Sequence, residues 1–238
     1  MKKAIIIGAS SGIGRELALI LSEEGYTVGL AARRLHLLEE LKNSLSGPSF
    51  NKEIDLCDPT SSMNLIEELI AEMGGADLII IAAGVGSINP DLDWAAERET
   101  IDTNVTGFAA AANVAFLHFT RIGRGHLVGI SSIAAIRGGR QAPAYNASKA
   151  FVSNYLEGLR NRAVKAGVPI AVTDIQPGFV DTNMLQVKRP FWVSSPREAA
   201  RQIRSAIERK ARRAYISKRW FLIAWLFKIL PASLYSRL

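Results

Sequence analysis

The 238-residue sequence predicts an α/β fold, a doubly wound parallel β-sheet with helices on both faces in three α/β/α layers. Three observations lead there. Short β-rich apolar runs alternate with helical patterns, which predicts parallel strands joined by crossover helices. Some runs, such as ADLIIIAAG at 76–84, are almost continuously apolar, as a strand buried on both faces must be. Polar and glycine-rich residues gather where the runs end, at Gly8 to Gly14, Arg33, Asp55, Ala83-Gly84, Ser131-Ser132 and Pro177-Gly178. In open α/β sheets, ligands bind beyond the carboxyl ends of the strands.

Taken in order, KKAIIIG reads as a strand and SGIGRELALILSEEG as a helix closed by Gly25. YTVGLAA is a second strand, and LHLLEELKNSL a second helix stopped by Gly47-Pro48. Asn51 to Leu56 forms a third strand, and Pro59 to Met73 a helix with proline at its start. After the fourth strand at 76–84 comes one long Ala-rich helical region over Trp94 to Thr120. GHLVGISS is strand five, Pro143 to Ala166 a helix, and VPIAVTDIQPG strand six.

With 48% hydrophobic residues, the chain fills one core and not two generous ones. The single cysteine, Cys57, excludes an internal disulfide and fits a reducing, cytoplasmic setting. His36, His118 and His126 are scattered, so no zinc-ligand spacing arises and each reads as a surface or satisfied residue. The net charge of +7 is uneven: Lys188 to Leu238 hold 13 Lys/Arg against 2 acids, which leaves −4 for the rest. That placement, with no nucleic-acid motif, excludes a protein built as a whole to bind nucleic acid.

GASSGIG joins the first strand to the first helix. Gly8 suits a tight turn, Gly12 a close approach of backbone to a pyrophosphate, and Gly14 close helix–strand packing. The N–H groups of the helix start, with its positive dipole, suit phosphates. At the end of strand two, an acid would bond the 2′-hydroxyl of NAD and an arginine the 2′-phosphate of NADP. Here the sequence reads Ala32, Arg33, Arg34, so NADP(H) is preferred, with Arg33 as the main phosphate contact and NAD(H) as the alternative.

Tyr145 and Lys149 are i and i+4 and share a helix face. A free phenol, with a pKa near 10, is a poor base at neutral pH. A nearby ammonium favours the phenolate, so the pair reads as a tuned proton donor and acceptor. Ser132, thirteen residues before Tyr145, can hydrogen-bond a substrate oxygen. Asn104 is a poor helix former in the middle of a helical region and needs a reason.

With these residues in place, the sequence resembles the single-domain short-chain dehydrogenases/reductases, with a Rossmann-like fold, over about Lys3 to Ser217. The resemblance rests on GASSGIG, Asp55 in DLCD, Ala82 to Gly84, NVTG, ISS, YNASK and PGFVDT. It implies Tyr145 as general acid/base and Lys149 lowering its pKa and holding the nicotinamide ribose. It further implies Ser132 orienting the substrate oxygen and Asn104 holding a water in a proton relay. The cofactor site it implies comprises Gly8, Ser10, Ser11, Gly12, Ile13, Gly14, Arg33, Asp55, Leu56, Ala83, Gly84, Asn104, Tyr145, Lys149, Pro177, Gly178, Val180 and Thr182, with no metal. A homodimer or homotetramer through the helices of Asn104 and Tyr145 is also implied. The sequence departs from the family pattern at Ile7, often threonine, and at Ile81 and Ala82, often asparagines.

The domain expected is 1–217, with a substrate loop at about 183–200 and a hydrophobic, basic tail at 218–238. In the loop, Met184, Leu185, Val187, Phe191 and Trp192 suggest an apolar substrate. In the tail, Trp220 to Leu230 is apolar except for Lys228 and too short to span a bilayer. Packing on the domain or a partner subunit, contact with a membrane surface and a regulatory role all fit. The function expected is NADP-dependent interconversion of a carbonyl and an alcohol. The alternative is a non-catalytic dinucleotide sensor or scaffold on the same fold.

Overall fold

The computed structural model describes residues 2–185 and 190–235. Seven strands form one parallel sheet in the order β3-β2-β1-β4-β5-β6-β7. They are β1 Lys3–Ile7, β2 Thr27–Ala32, β3 Ser49–Glu53, β4 Leu78–Ile81, β5 Gly125–Ile130, β6 Ile170–Pro177 and β7 Arg213–Ile216. Alternation along β1 shows why the sheet needs two covers. Ala4 and Ile6 join a core with Leu17, Leu38 and Ile203. Ile5 and Ile7 join a second core with Ile66, Phe108 and Leu156. The first core belongs to the layer of α1 Gly12–Glu23, α2 Leu35–Ser44 and α7 Pro196–Glu208, and the second to α3 Pro59–Glu72, α5 Phe108–Ile122 and α6 Pro143–Ala166.

Three differences from the sequence reading have physical causes. The third strand lies earlier than Asn51 to Leu56, because the β2 register pairs Val28 with Ser49 and Ala32 with Glu53. Ile54 and Leu56 are buried beyond its end. The helical region from Trp94 is not uniform: α4 Trp94–Ile101 passes through a π-helical segment, Asp102–Gly107, into α5. Finally, α7 and β7 extend the sheet past the six strands expected. The short β7, RAYI, carries an exposed arginine and only one fully buried residue, Ile216, so its apolar signal is weak.

The chain runs outward in both directions from β1 and β4, which lie side by side. The loops following β1 and β4 therefore part at the carboxyl edge and leave a crevice there. Beyond β7, α8 Trp220–Ile229 and the short α9 Ala232–Tyr235 complete the described chain.

Candidate active site

A cavity of about 880 Å³ opens in that crevice. Every position expected to bind cofactor lines it, except Asn104; of the expected substrate-loop residues, Met184 and Leu185 line it, and Phe191 and Trp192 do not. Val187 lies outside the described residues.

The glycine turn forms one end. Gly8 has φ +95°, and a Cβ there would collide with the backbone of Ala83. The turn after β1 and the loop after β4 can touch only because that Cβ is absent. Ser11 is the N-cap of α1 yet makes no side-chain cap bond. Instead, Arg34 donates from one nitrogen to the hydroxyls of Ser10, at 2.8 Å, and Ser11, at 2.9 Å. The first-turn N–H groups of α1 are left without a side-chain acceptor beside a guanidinium, a cradle suited to phosphate. Arg33, expected as the main phosphate contact, is half exposed and 3.6 Å from Glu99. Asp55 Oδ1 accepts from the Cys57 N–H at 3.0 Å, which fixes the loop where Asp55 and Leu56 meet the cavity.

The other end is built by β5 and α6. Ser131 and Ser132 diverge, as consecutive extended residues do. Ser131 is buried and donates its hydroxyl to Asp174 on β6. Ser132 begins a 3-10 turn, Ile133–Ala135, where its Oγ accepts from the Ala134 N–H at 3.1 Å, and both Ser132 and Tyr145 line the cavity. Pro143 occupies the first helical position of α6 and places Tyr145 in the first turn. Lys149, one turn on, is buried, donates to the Ile130 carbonyl at 3.2 Å and lies 5.6 Å from the Tyr145 ring centre.

Burial decides the electrostatics. It pushes the Tyr145 phenol above its ordinary value, and the neighbouring Ser132 hydroxyl pulls the other way. It lowers Lys149 to about 8, opposed by the carboxylate of Asp174. In the protein alone, loss of solvent is the larger influence on both groups.

Asn104 sits in the π-helical segment, behind the residues that line the cavity. Its Oδ1 accepts from the Val85 N–H at 2.8 Å. Its Nδ2 donates to the Val85 carbonyl at 2.7 Å and to Ser148 Oγ at 3.0 Å. The side chain thereby ties the loop after β4 to α6.

Sequence reasoning missed three features. Gly86 backs the Tyr145 ring, which a Cβ there would strike. Arg34 spans the glycine turn. Asp174 is almost fully buried and accepts from Ser131, from Ser153 at 2.7 Å, from Gln176 at 2.8 Å and from Arg213 Nε at 3.2 Å. A signal for the last was present, since an aspartate inside the apolar run IAVTDIQP demands partners.

A glycine-cradled helix start at one end of a crevice and a Ser–Tyr–Lys group at the other define a dinucleotide-dependent oxidoreductase. The short chain dehydrogenase family model matches residues 2–191, and the chain belongs to that family. It is 34% identical to an uncharacterized oxidoreductase of Mycobacterium tuberculosis over 248 aligned residues, covering 99% of this chain and 96% of that protein. An uncharacterized oxidoreductase of Myxococcus xanthus is 40% identical over 188 residues, 77% of this chain and 74% of its own. Among solved structures, a short-chain dehydrogenase from Sphingobium yanoikuyae in complex with NADPH has the same fold, with a TM-score of 0.81 at 21% identity over 98% of each chain. The protein is thus an NAD(P)-dependent oxidoreductase acting between CH–OH and carbonyl groups.

Proposed function

We propose that the protein interconverts an apolar ketone or aldehyde and its alcohol with NADP(H), and that Tyr145 moves the proton. The observation that carries this reading is the meeting of Ser132, Tyr145 and Lys149 on one cavity wall, with the Lys149 ammonium 5.6 Å from the Tyr145 ring centre.

The cofactor supplies the hydride donor or acceptor. Its phosphates would lie on the start of α1, and its 2′-phosphate by Arg33 and Arg34, where no carboxylate follows Ala32 on the chain. Asp55, Leu56, Ala83 and Gly84 would flank the adenosine, and Pro177, Gly178, Val180 and Thr182 the nicotinamide. Lys149 would hold the ribose. Ser132 donates a hydrogen bond to the substrate oxygen, and Tyr145 gives it a proton during reduction. A phenol held above its ordinary pKa stays protonated at neutral pH, as a general acid must. Lys149, charged below about pH 8, stabilises the phenolate that forms. Reduction should therefore slow as pH rises through that value, because the ammonium is lost. Ile88, Ile133, Phe179 and Met184 line the cavity and favour an apolar substrate. A homo-oligomer is the default state; exposed Leu117 and Ile122 on α5 and Val164 on α6 are the apolar residues it would cover.

The test is fluorescence titration with NADPH and NADH, then a screen of hydrophobic ketones with Tyr145→Phe as control. Tighter binding of NADPH is expected, with turnover lowered about 10²–10⁴-fold in the variant and its cofactor affinity kept. Full turnover by Tyr145→Phe would remove the phenol from the proton step.

A further inference from the structure

Helix α8 is apolar on both sides. Trp220 and Ala224 are buried against the domain, and Phe227 packs on Tyr235 with ring centres 5.6 Å apart. The opposite stripe is Phe221, Leu222, Trp225, Leu226 and Ile229, each 43% to 62% exposed. These are positions i, i+1, i+4, i+5 and i+8, a single helical face. A helix that is hydrophobic all round ordinarily has that second face covered.

The buried face of α8 reaches the mouth of the cavity. Trp220 stacks on Phe191 at 5.1 Å and meets Phe179 edge-on at 5.1 Å, and Phe179 lines the cavity. At the far end, Tyr235 donates its hydroxyl hydrogen to the Gly138 carbonyl at 3.0 Å, while the Arg137 guanidinium lies 4.7 Å over its ring. Gly138 lies just beyond the turn that Ser132 begins. The segment from α8 to α9 is therefore fastened at both ends to loops that belong to the cavity.

Charge selects the occupant. Arg209 to Leu238 contain eight Lys/Arg and no Asp or Glu. Lys218 and Arg219 stand exposed at the start of α8, and Lys228 in its last turn. A symmetric contact with a second copy would set these like charges against one another. The stripe also offers only on the order of 500 Å², about half of side chains of roughly 200 Å² each, against about 800 Å² per partner in a standard interface. An anionic surface that is apolar beneath matches both features. A ten-residue helix is about 15 Å long, half a bilayer core, so it can lie on the membrane but not cross it.

We propose that α8 docks the protein on an anionic lipid bilayer, with its aromatic stripe at the boundary of headgroups and acyl chains and Lys218, Arg219 and Lys228 on lipid phosphates. Entry of a substrate from the bilayer into the cavity rests on the oxidoreductase reading above; the docking does not.

The experiment is flotation of the full-length protein with vesicles of phosphatidylcholine, with and without phosphatidylglycerol, at low and high salt. Binding to the anionic vesicles that weakens with salt is expected. Phe221→Ser with Trp225→Ser should lower the bound-to-free ratio at least about tenfold on both vesicles. Lys218→Glu with Arg219→Glu should lower it about tenfold on anionic vesicles only. Unchanged thermal midpoints and NADPH affinity would show that the variants are folded, and light scattering reports their oligomeric state. Wild-type protein that leaves both vesicles unbound overturns the proposal. So does an apolar-stripe variant that floats like wild type, or one that only converts an oligomer to monomers. Since flotation needs no turnover, its failure leaves the proposed reaction standing, and failure of turnover leaves the docking standing.

Discussion

Lys149 is buried and Tyr145 partly so, and loss of solvent drives each toward its neutral form, the phenol upward and the ammonium down to about 8. Proximity on a helix face was legible in the sequence as i and i+4. Desolvation was not, because it depends on loops that arrive from β4 and β6. The arginines show the same divide. Sequence order alone favours Arg33, the first residue after Ala32, whereas the fold sets Arg34 on Ser10 and Ser11 and Arg33 toward Glu99. Arg34→Ala should therefore weaken NADPH by about tenfold or more and NADH less, as expected for loss of a charge-assisted phosphate bond of about 1.5–3 kcal/mol. Parallel titration of Arg33→Ala measures its share, and an equal loss of NADPH and NADH in both variants would take the arginines off the 2′-phosphate.

Among the elements, the π-helical segment gives Asn104 its reason. An amide that costs helix propensity there returns three hydrogen bonds, two of them to the backbone of one residue, Val85. Asn104→Ala leaves the Val85 N–H and carbonyl without those partners, at a cost of about 1–3 kcal/mol. Thermal unfolding should show that loss, and kcat should fall because the loop ends beside Gly86, on which the Tyr145 ring rests. An unaltered midpoint would mean that the loop holds itself. The strands and most helices were legible from periodicity, and α6 has the bounds Pro143–Ala166 that its sequence predicts. The end of the sheet was not. Yet α7 carries the signature Ser195-Pro196-Arg197-Glu198, in which the Ser195 hydroxyl accepts from the Glu198 N–H at 3.2 Å. Apolar Ala199, Ile203, Ala206 and Ile207 follow at helical spacing. Attention to the loop chemistry there hid an ordinary capped helix.

For the whole molecule, acid stability turns on His126. It is buried in the sheet with Nε2 2.8 Å from Thr173 Oγ1, and burial, helped by Lys210, lowers it to about 4. The folded pKa lies below the unfolded value of 6.5, so the unfolded chain binds the extra proton first. Stability is full above about pH 6.5 and falls as pH drops toward 4, by about 3 kcal/mol for a shift of this size. Denaturation midpoints across that range should decline less steeply in His126→Gln. The scattered histidines of the sequence are exposed at His36 and hydrogen-bonded at His118 and His126, the surface and satisfied residues expected. The uneven charge is marked at the end of the sequence, where Arg209 to Leu238 hold no Asp or Glu.

The buried carboxylate of Asp174 extends that view to the length of the chain. It is held by Ser131 beside Ser132, by Ser153 one turn beyond Lys149, and by Arg213, which is contributed by β7. A protein cut before residue 213 would keep every group of the proposed chemistry and still strand a negative charge directly beneath it. The last strand is therefore no ornament on a six-stranded catalyst. Whoever trims, fuses or permutes this chain must carry Arg213 along, because the ion-pair partner of that buried carboxylate reaches it from the far edge of the sheet.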